Sequence, residues 1–207
     1  AVASVNGEIA AALRGRGVRD QAGADAALIA LDGTPAKSRL GGNAIIAASM
    51  AILQAAAASA RMPLWRYIGG DAACLMPLPE IQIFGGGAHA GRRVDVQDFL
   101  LVCPGAESFA QALDWTAEVY RHAGRLMAES GRLQGVADEG GWWPAFQSNE
   151  EAIETLLRAI ERAGYRPMEQ VAIALDVAAS EFGKDGRYTL GLESRVLDSG
   201  EMIEIKD

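Results

Sequence analysis

Two uninterrupted apolar runs, DFLLVC at 98–103 and VAIALD at 171–176, constrain this chain most strongly. A strand that is apolar at every position offers no face to water and reads as buried on both sides. Helical patterns stand between the two runs. One spans Ser108 to Glu129, with Phe109, Leu113, Val119 and Leu126 among its apolar positions. The other opens at SNEE (148–151), where Ser148 and Glu151 have the spacing of a capping box, and closes at Gly164. PEIQIF (79–84) adds an earlier strand with Ile81 and Ile83 on one face. Strand, helix, strand, helix predicts a parallel α/β architecture. About half the strands of a closed barrel are in view, so these residues alone do not complete one.

The residues before this pattern are helical and rich in alanine. Val2, Val5, Ile9 and Leu13 recur at helical spacing, and a second helix is expected over Ala24 to Leu31, closed by DGT at 32–34. Asn43 is placed to cap a long helix running to about Ala60, before Pro63 forces a restart. Pro77 and Pro79 flank the change to strand patterning, so the expected domains are 1–72 and 75–207. The stretch 43–60 could imitate a membrane span. Ser49, Gln54 and Ser59 interrupt it, and a helix of a soluble protein is expected instead. The ends look abrupt: the first residues read as a helix in mid-course, and SGEMIEIKD (199–207) as the start of another. The sequence reads as a piece of a longer protein.

Charge and cysteine usage narrow the function classes. A net charge of -8 and a pI near 4.9 argue against binding a phosphate backbone, so no nucleic-acid partner is expected. Cys74 and Cys103 are too few for a disulfide framework and belong to no CxxC, so both are expected reduced and buried, in a cytoplasmic protein. No cationic-then-apolar leader opens the chain.

Four segments carry candidate chemistry. GGGAHAG (85–91) follows a strand, and its glycines permit close approach to a ligand beside His89; an open loop with an exposed histidine reads equally well. Its spacing does not match a dinucleotide loop. Asp98 begins an apolar strand and, taken alone, reads first as a strand-edge charge. VADEGGWWP (136–144) places Asp138 and Glu139 together before two tryptophans. An apolar frame would raise the pKa of one of the two and make it a general acid; a solvated turn is the equal alternative. Asp176 ends an apolar strand, either as a hard oxygen ligand for Mg²⁺ or as a helix cap. The glycine-rich loop, Glu139 and Asp176 are expected at one end of neighbouring strands.

The motifs SRLGGNAIIAASMA (38–51), PLWRYIGG (63–70), GGAHAG (86–91), VQDF (96–99), VADEGG (136–141), SNEEA (148–152) and ALDVAASEF (174–182) together resemble the enolases. The resemblance covers nearly the whole chain, in order. It implies that 1–72 is the helical part of a smaller α+β domain and 75–207 the first half of an enolase-type α/β barrel. It implies a lyase of glycolysis that interconverts 2-phosphoglycerate and phosphoenolpyruvate. In that family a lysine removes the C2 proton and Mg²⁺ stabilises the carboxylate-enolate. By match of motif, Glu139 is the general acid for the leaving hydroxide, His89 closes on substrate, and Asp98 supports the acid with Gln97 beside it. His89, Gln97 and Asp98 would contact a small phosphorylated three-carbon substrate, and Asp176 would be the first of three carboxylates on Mg²⁺. The family is commonly homodimeric.

Departures from the family pattern sit at the same motifs. Asp98 stands where Glu is usual, one methylene shorter, a displacement of about 1 Å that can cost up to about 10²-fold. Gly85 replaces a usual Asn, Ala137 a usual Gly, and Trp142–Trp143 a smaller pair. The segments that would carry the base lysine, two further metal carboxylates and the N-terminal substrate loop are not among these 207 residues. The isolated chain is therefore expected to lack dehydratase activity. A paralogue with altered or lost catalysis, acting as a binding or structural protein, is the alternative.

Overall fold

The computed structural model describes residues 1–191 and 195–198, in two compact units, Ala1–Leu75 and Met76–Asp207. The helix expected over 199–207 lies outside the described residues.

In the first unit the opening helical segment, Val2–Leu13, relaxes into a π-type turn over Val5–Ile9, where Gly7 leaves helical geometry at φ -97° and ψ -105°. Asp20 starts the helix Gln21–Asp32 by accepting the Gly23 N–H at 2.9 Å, and Gly33 ends it in the left-handed region at φ 71°. The long helix is Gly42–Ser59. It does not use Asn43 as its cap: Asn43 lies inside the first turn, and Gly41 and Gly42 make the entry. Ala44, Ile45 and Ala48 from this helix close a core with Ile9, Leu28 and Leu40. Length and composition alone would let Gly42–Ser59 cross a membrane, yet this face is occupied by its own unit's core. Asp32, only 2% exposed, accepts the Leu40 N–H at 2.8 Å and the Thr34 N–H at 3.0 Å. Those bonds, Leu40's first, hold its carboxyl below the usual carboxylate range. Cys74 is exposed, against expectation, because it follows the last helix of this unit in chain that belongs to no element.

In the second unit, five strands make one sheet: β1 Glu80–Gly85, β2 Asp98–Val102, β3 Leu133–Val136, β4 Trp142–Pro144 and β5 Ala172–Asp176, in the order β3-β4-β1-β2-β5. A smaller sheet holds β6 Gly183–Lys184, β7 Arg187–Leu190 and β8 Arg195–Asp198. The expectation of all-parallel pairing is corrected here. β1 pairs with β2, and β2 with β5, antiparallel; β1 meets β4 in parallel. A parallel neighbour needs a long crossover, usually a helix, whereas β1 reaches β2 through the loop 86–97 with only one 3-10 turn, Gly87–Ala90. β2 is then reversed relative to both neighbours.

Helices Phe109–Glu129 and Asn149–Arg162 cover this sheet, each entered through a serine. Ser108 Oγ accepts the Gln111 N–H at 3.2 Å and Ser148 Oγ the Glu151 N–H at 3.1 Å. Glu151 reaches the Gln147 N–H at 2.6 Å rather than that of Ser148. Phe84, Phe99, Leu101, Met127, Leu156 and Ile160 are sealed from water in the core. Phe84 meets Phe99 edge-on at 6.4 Å and Phe146 at 5.3 Å. β5 is half-buried rather than covered on both faces, because it lies at the edge of the sheet.

Candidate active site

Reversal of β2 decides where its first residue falls. The register aligns Gly85 at the end of β1, Asp98 at the start of β2 and Asp176 at the end of β5 in one cross-strand row. Two strands deliver their C-terminal ends to this row and the third its N-terminal end. Asp98 is 4% exposed, and a buried carboxylate needs partners. Its Oδ1 accepts the Gln82 side-chain N–H, and its Oδ2 accepts Gln97 Nε2–H at 3.3 Å. The same Gln97 nitrogen donates to Asp176 Oδ2 at 3.2 Å, so one amide bridges the two acids. Asp176 Oδ1 accepts the Ala178 N–H at 3.0 Å, which directs the carboxylate at the strand end.

His89 sits on the 3-10 turn that follows β1. Gly86 N–H to Gln97 O at 2.6 Å and Gly87 N–H to Val94 O at 2.9 Å fold this loop back on itself. Asn149, 5% exposed, accepts the Asp95 and Val96 N–H groups at 3.0 and 3.1 Å and fixes the stretch that leads into Asp98. His89 Nδ1 thereby lies 3.3 Å from Asp98 Oδ1 and 4.0 Å from Glu139 Oε2. It is buried and makes no well-aligned hydrogen bond. His89, Asp98 and Glu139 each offer one ligand-type atom within 4.8 Å of the others'. Four of the five sequence candidates, Glu139, His89, Asp98 and Gln97, thus lie side by side, and Asp176 extends the group across the sheet.

Of the two readings left open for Asp138 and Glu139, the turn is the exposed one. Asp138 and Glu139 are both exposed, with 57% of the Glu139 side chain open, so the desolvating apolar frame is not there. The turn is held by its backbone instead. Ala137 N–H donates to Gly141 O at 2.7 Å, and Tyr120 OH donates to Gly140 O at 2.9 Å. Burial pushes the Tyr120 hydroxyl up in pKa, which keeps it a donor. Gly141 N–H donates to Gln82 Oε1 at 2.8 Å. Gln82, 8% exposed, therefore ties this turn to Asp98, and sequence reasoning passed over it. The signal was available: a long amide inside an apolar strand needs partners for both its ends.

The tryptophans part to opposite sides of β4. Trp142 donates Nε1–H to Tyr120 O at 2.8 Å and stacks on the Tyr120 ring, centroids 4.4 Å apart at 16°. It fills the hollow over Gly124, where a Cβ would come within 2.6 Å of its ring. Trp143 lies against Gly91, at the end of the His89 loop. Gly124→Ala is expected to destabilise the protein despite better helix propensity. Propensity gains about 1 kcal/mol, while overpacking a ring already held by a hydrogen bond and a stack costs about 1–3 kcal/mol. A lower melting temperature checks this, and a higher one would show that Trp142 is free to move.

As for metal, Asp176 is an exposed carboxylate of the hard oxygen type that Mg²⁺ takes, with other ligands needed from elsewhere. The His89, Asp98 and Glu139 group includes an imidazole nitrogen and suits Mg²⁺ poorly.

Comparison with known proteins matches residues 73–206 to the family model described as enolase, C-terminal TIM barrel domain, and residues 1–68 to enolase, N-terminal domain. The enolase of Rubrobacter xylanophilus is 48% identical over 204 residues, covering 99% of this chain and 47% of that protein. The chain spans about half the length of the curated relative it matches.

Proposed function

Because the chain belongs to the enolase family, we propose that it supplies part of a Mg²⁺-dependent lyase that interconverts 2-phosphoglycerate and phosphoenolpyruvate. The observation that carries this is the convergence of His89, Asp98 and Glu139 within 4.8 Å, with Gln97 linking them to Asp176. On this reading 1–72 is the helical part of the N-terminal domain and 75–207 the first half of the barrel. The protein is a cytoplasmic homodimer with no nucleic-acid partner and no membrane span.

Dehydration removes a proton from C2 and hydroxide from C3. The C2 proton goes to a base outside these residues. Glu139 gives its proton to the departing hydroxide, so water leaves and Glu139 is left as carboxylate; in the reverse direction it takes that proton back. Its open position at the end of the sheet gives it access to substrate. His89, between Glu139 and Asp98, closes on the substrate, and buried Asp98 holds the imidazole side of the site in place. Asp176 would hold Mg²⁺, which when bound supplies positive charge to the developing enolate.

The test is a coupled assay of phosphoenolpyruvate formation with Mg²⁺, run on a full-length enolase carrying these residues and on the 207-residue chain alone. Turnover is expected in the first, abolished by chelation, and none in the second. An inert full-length enzyme would favour the binding or structural alternative. Wild-type-like turnover by the short chain would overturn the requirement for residues outside it.

A further inference from the structure

We propose that Gln82 is a positioning residue for Asp98, held in a slot walled by Gly85 and Gly141, and that positions 85 and 137 compete for one volume beside it. The catalytic part of this rests on the lyase reading above; the steric part does not.

The Gln82 carboxamide has both ends committed: Nε2–H to Asp98 Oδ1 and Oε1 to the Gly141 N–H. Neither Gly85 nor Gly141 has a positive φ, so backbone conformation does not require glycine at either place. Space does. A Cβ on Gly141 would lie 2.5 Å from Gln82 Oε1 and 2.9 Å from its Cδ. A Cβ on Gly85 would lie 3.3 Å from Gln82 Nε2 and would overlap the methyl of Ala137. Gly85 is itself the register partner of Asp98, so a side chain there would press on the amide at the point where it meets the acid.

Ala137 is 6% exposed and immediately precedes Asp138 and Glu139. Its methyl stands where a residue-85 side chain would begin. The two departures from the family pattern noted above, Gly for Asn at 85 and Ala for Gly at 137, are then linked: the Ala137 methyl occupies the space that a side chain at 85 would need. A chain with side chains at both positions cannot keep this geometry.

Four proteins decide the matter in a full-length enolase background: the parent, Gly85→Ala, Ala137→Gly and the double variant. Gly85→Ala is expected to lower kcat about 10-fold or more, with KM changed less than about threefold, and to lower the melting temperature. Adding Ala137→Gly should return both to near the parent. In a Gln82→Ala/Ala137→Gly background, Gly85→Ala should cost no further kcat, since both groups its Cβ would meet are gone. Parental kcat in Gly85→Ala, or a double variant no better than Gly85→Ala, overturns the proposal. If Gly85→Ala does not fold, the double variant must fold and melt near Ala137→Gly, or the shared volume is refuted. A parent without turnover sinks the lyase reading and with it the catalytic role of Gln82, while the melting temperatures still decide the slot.

Discussion

Glu139→Gln in a full-length enolase carrying these residues lowers kcat by about 10²–10⁴-fold, the usual contribution of a general acid. Gln has the same shape as Glu, so the turn that presents it should persist. Its supports all act on backbone atoms of the turn: Tyr120 OH on Gly140 O, Gln82 Oε1 on Gly141 N–H, and Ala137 N–H on Gly141 O. On the proposed reading, what the variant loses is the proton that hydroxide needs on leaving C3. KM should stay within about threefold, because a loss confined to the transition state lowers kcat and kcat/KM together. The melting temperature should fall little, since more than half of the Glu139 side chain is exposed and its described charge contact, with His89 Nδ1, is long at 4.0 Å. A kcat within threefold of the parent would remove Glu139 from the chemistry.

The second large effect concerns Asp98. From the family pattern, Asp98→Glu looks like a restoration. In this structure it is expected to lower kcat by about 10- to 100-fold, the scale of an ångström-sized misplacement. Asp98 is 4% exposed, and its two oxygens already meet Gln82 and Gln97. One more methylene drives the carboxylate into the Gln82 amide or toward His89 Nδ1, which is 3.3 Å away. Gln82→Asn withdraws the amide by the same methylene but also from the Gly141 N–H, so Gln82→Asn/Asp98→Glu should recover part of the loss. Steady-state kinetics of the two single variants and the double decide it. An Asp98→Glu enzyme faster than the parent would show that the short carboxylate is a defect of this chain, not a fitted part.

Much of the site was legible because its motifs are local. A glycine-rich turn after a strand, an acid at a strand end and a serine before an amphipathic helix each announce themselves within a few residues. Ser148, His89, Glu139 and Asp176 all stand where such local signals put them. Gln82 did not announce itself, because its partners lie at 98 and 141, and nothing near it in sequence shows that both ends of its amide are used. The tryptophans left two readings open for the same reason. Beside two acids they fitted either a desolvated pocket or a solvated turn, and Trp142 turns to Tyr120 and Gly124 on the covering helix and leaves Glu139 open.

Taken alone, the order and wording of the motifs determined the family, the main helices, three of the strands (β1, β2 and β5) and the residue types available for acid–base and metal chemistry. These follow from side-chain periodicity and from the chemistry of caps and turns, which act over a few residues. The direction of β2, and with it the arrival of Asp98 in the same row as Gly85 and Asp176, was decided only in the folded sheet. So were the Gln82 bridge and the exclusion between positions 85 and 137. Each depends on which distant backbones hydrogen-bond to each other, and a linear pattern of apolar and polar residues leaves that choice open.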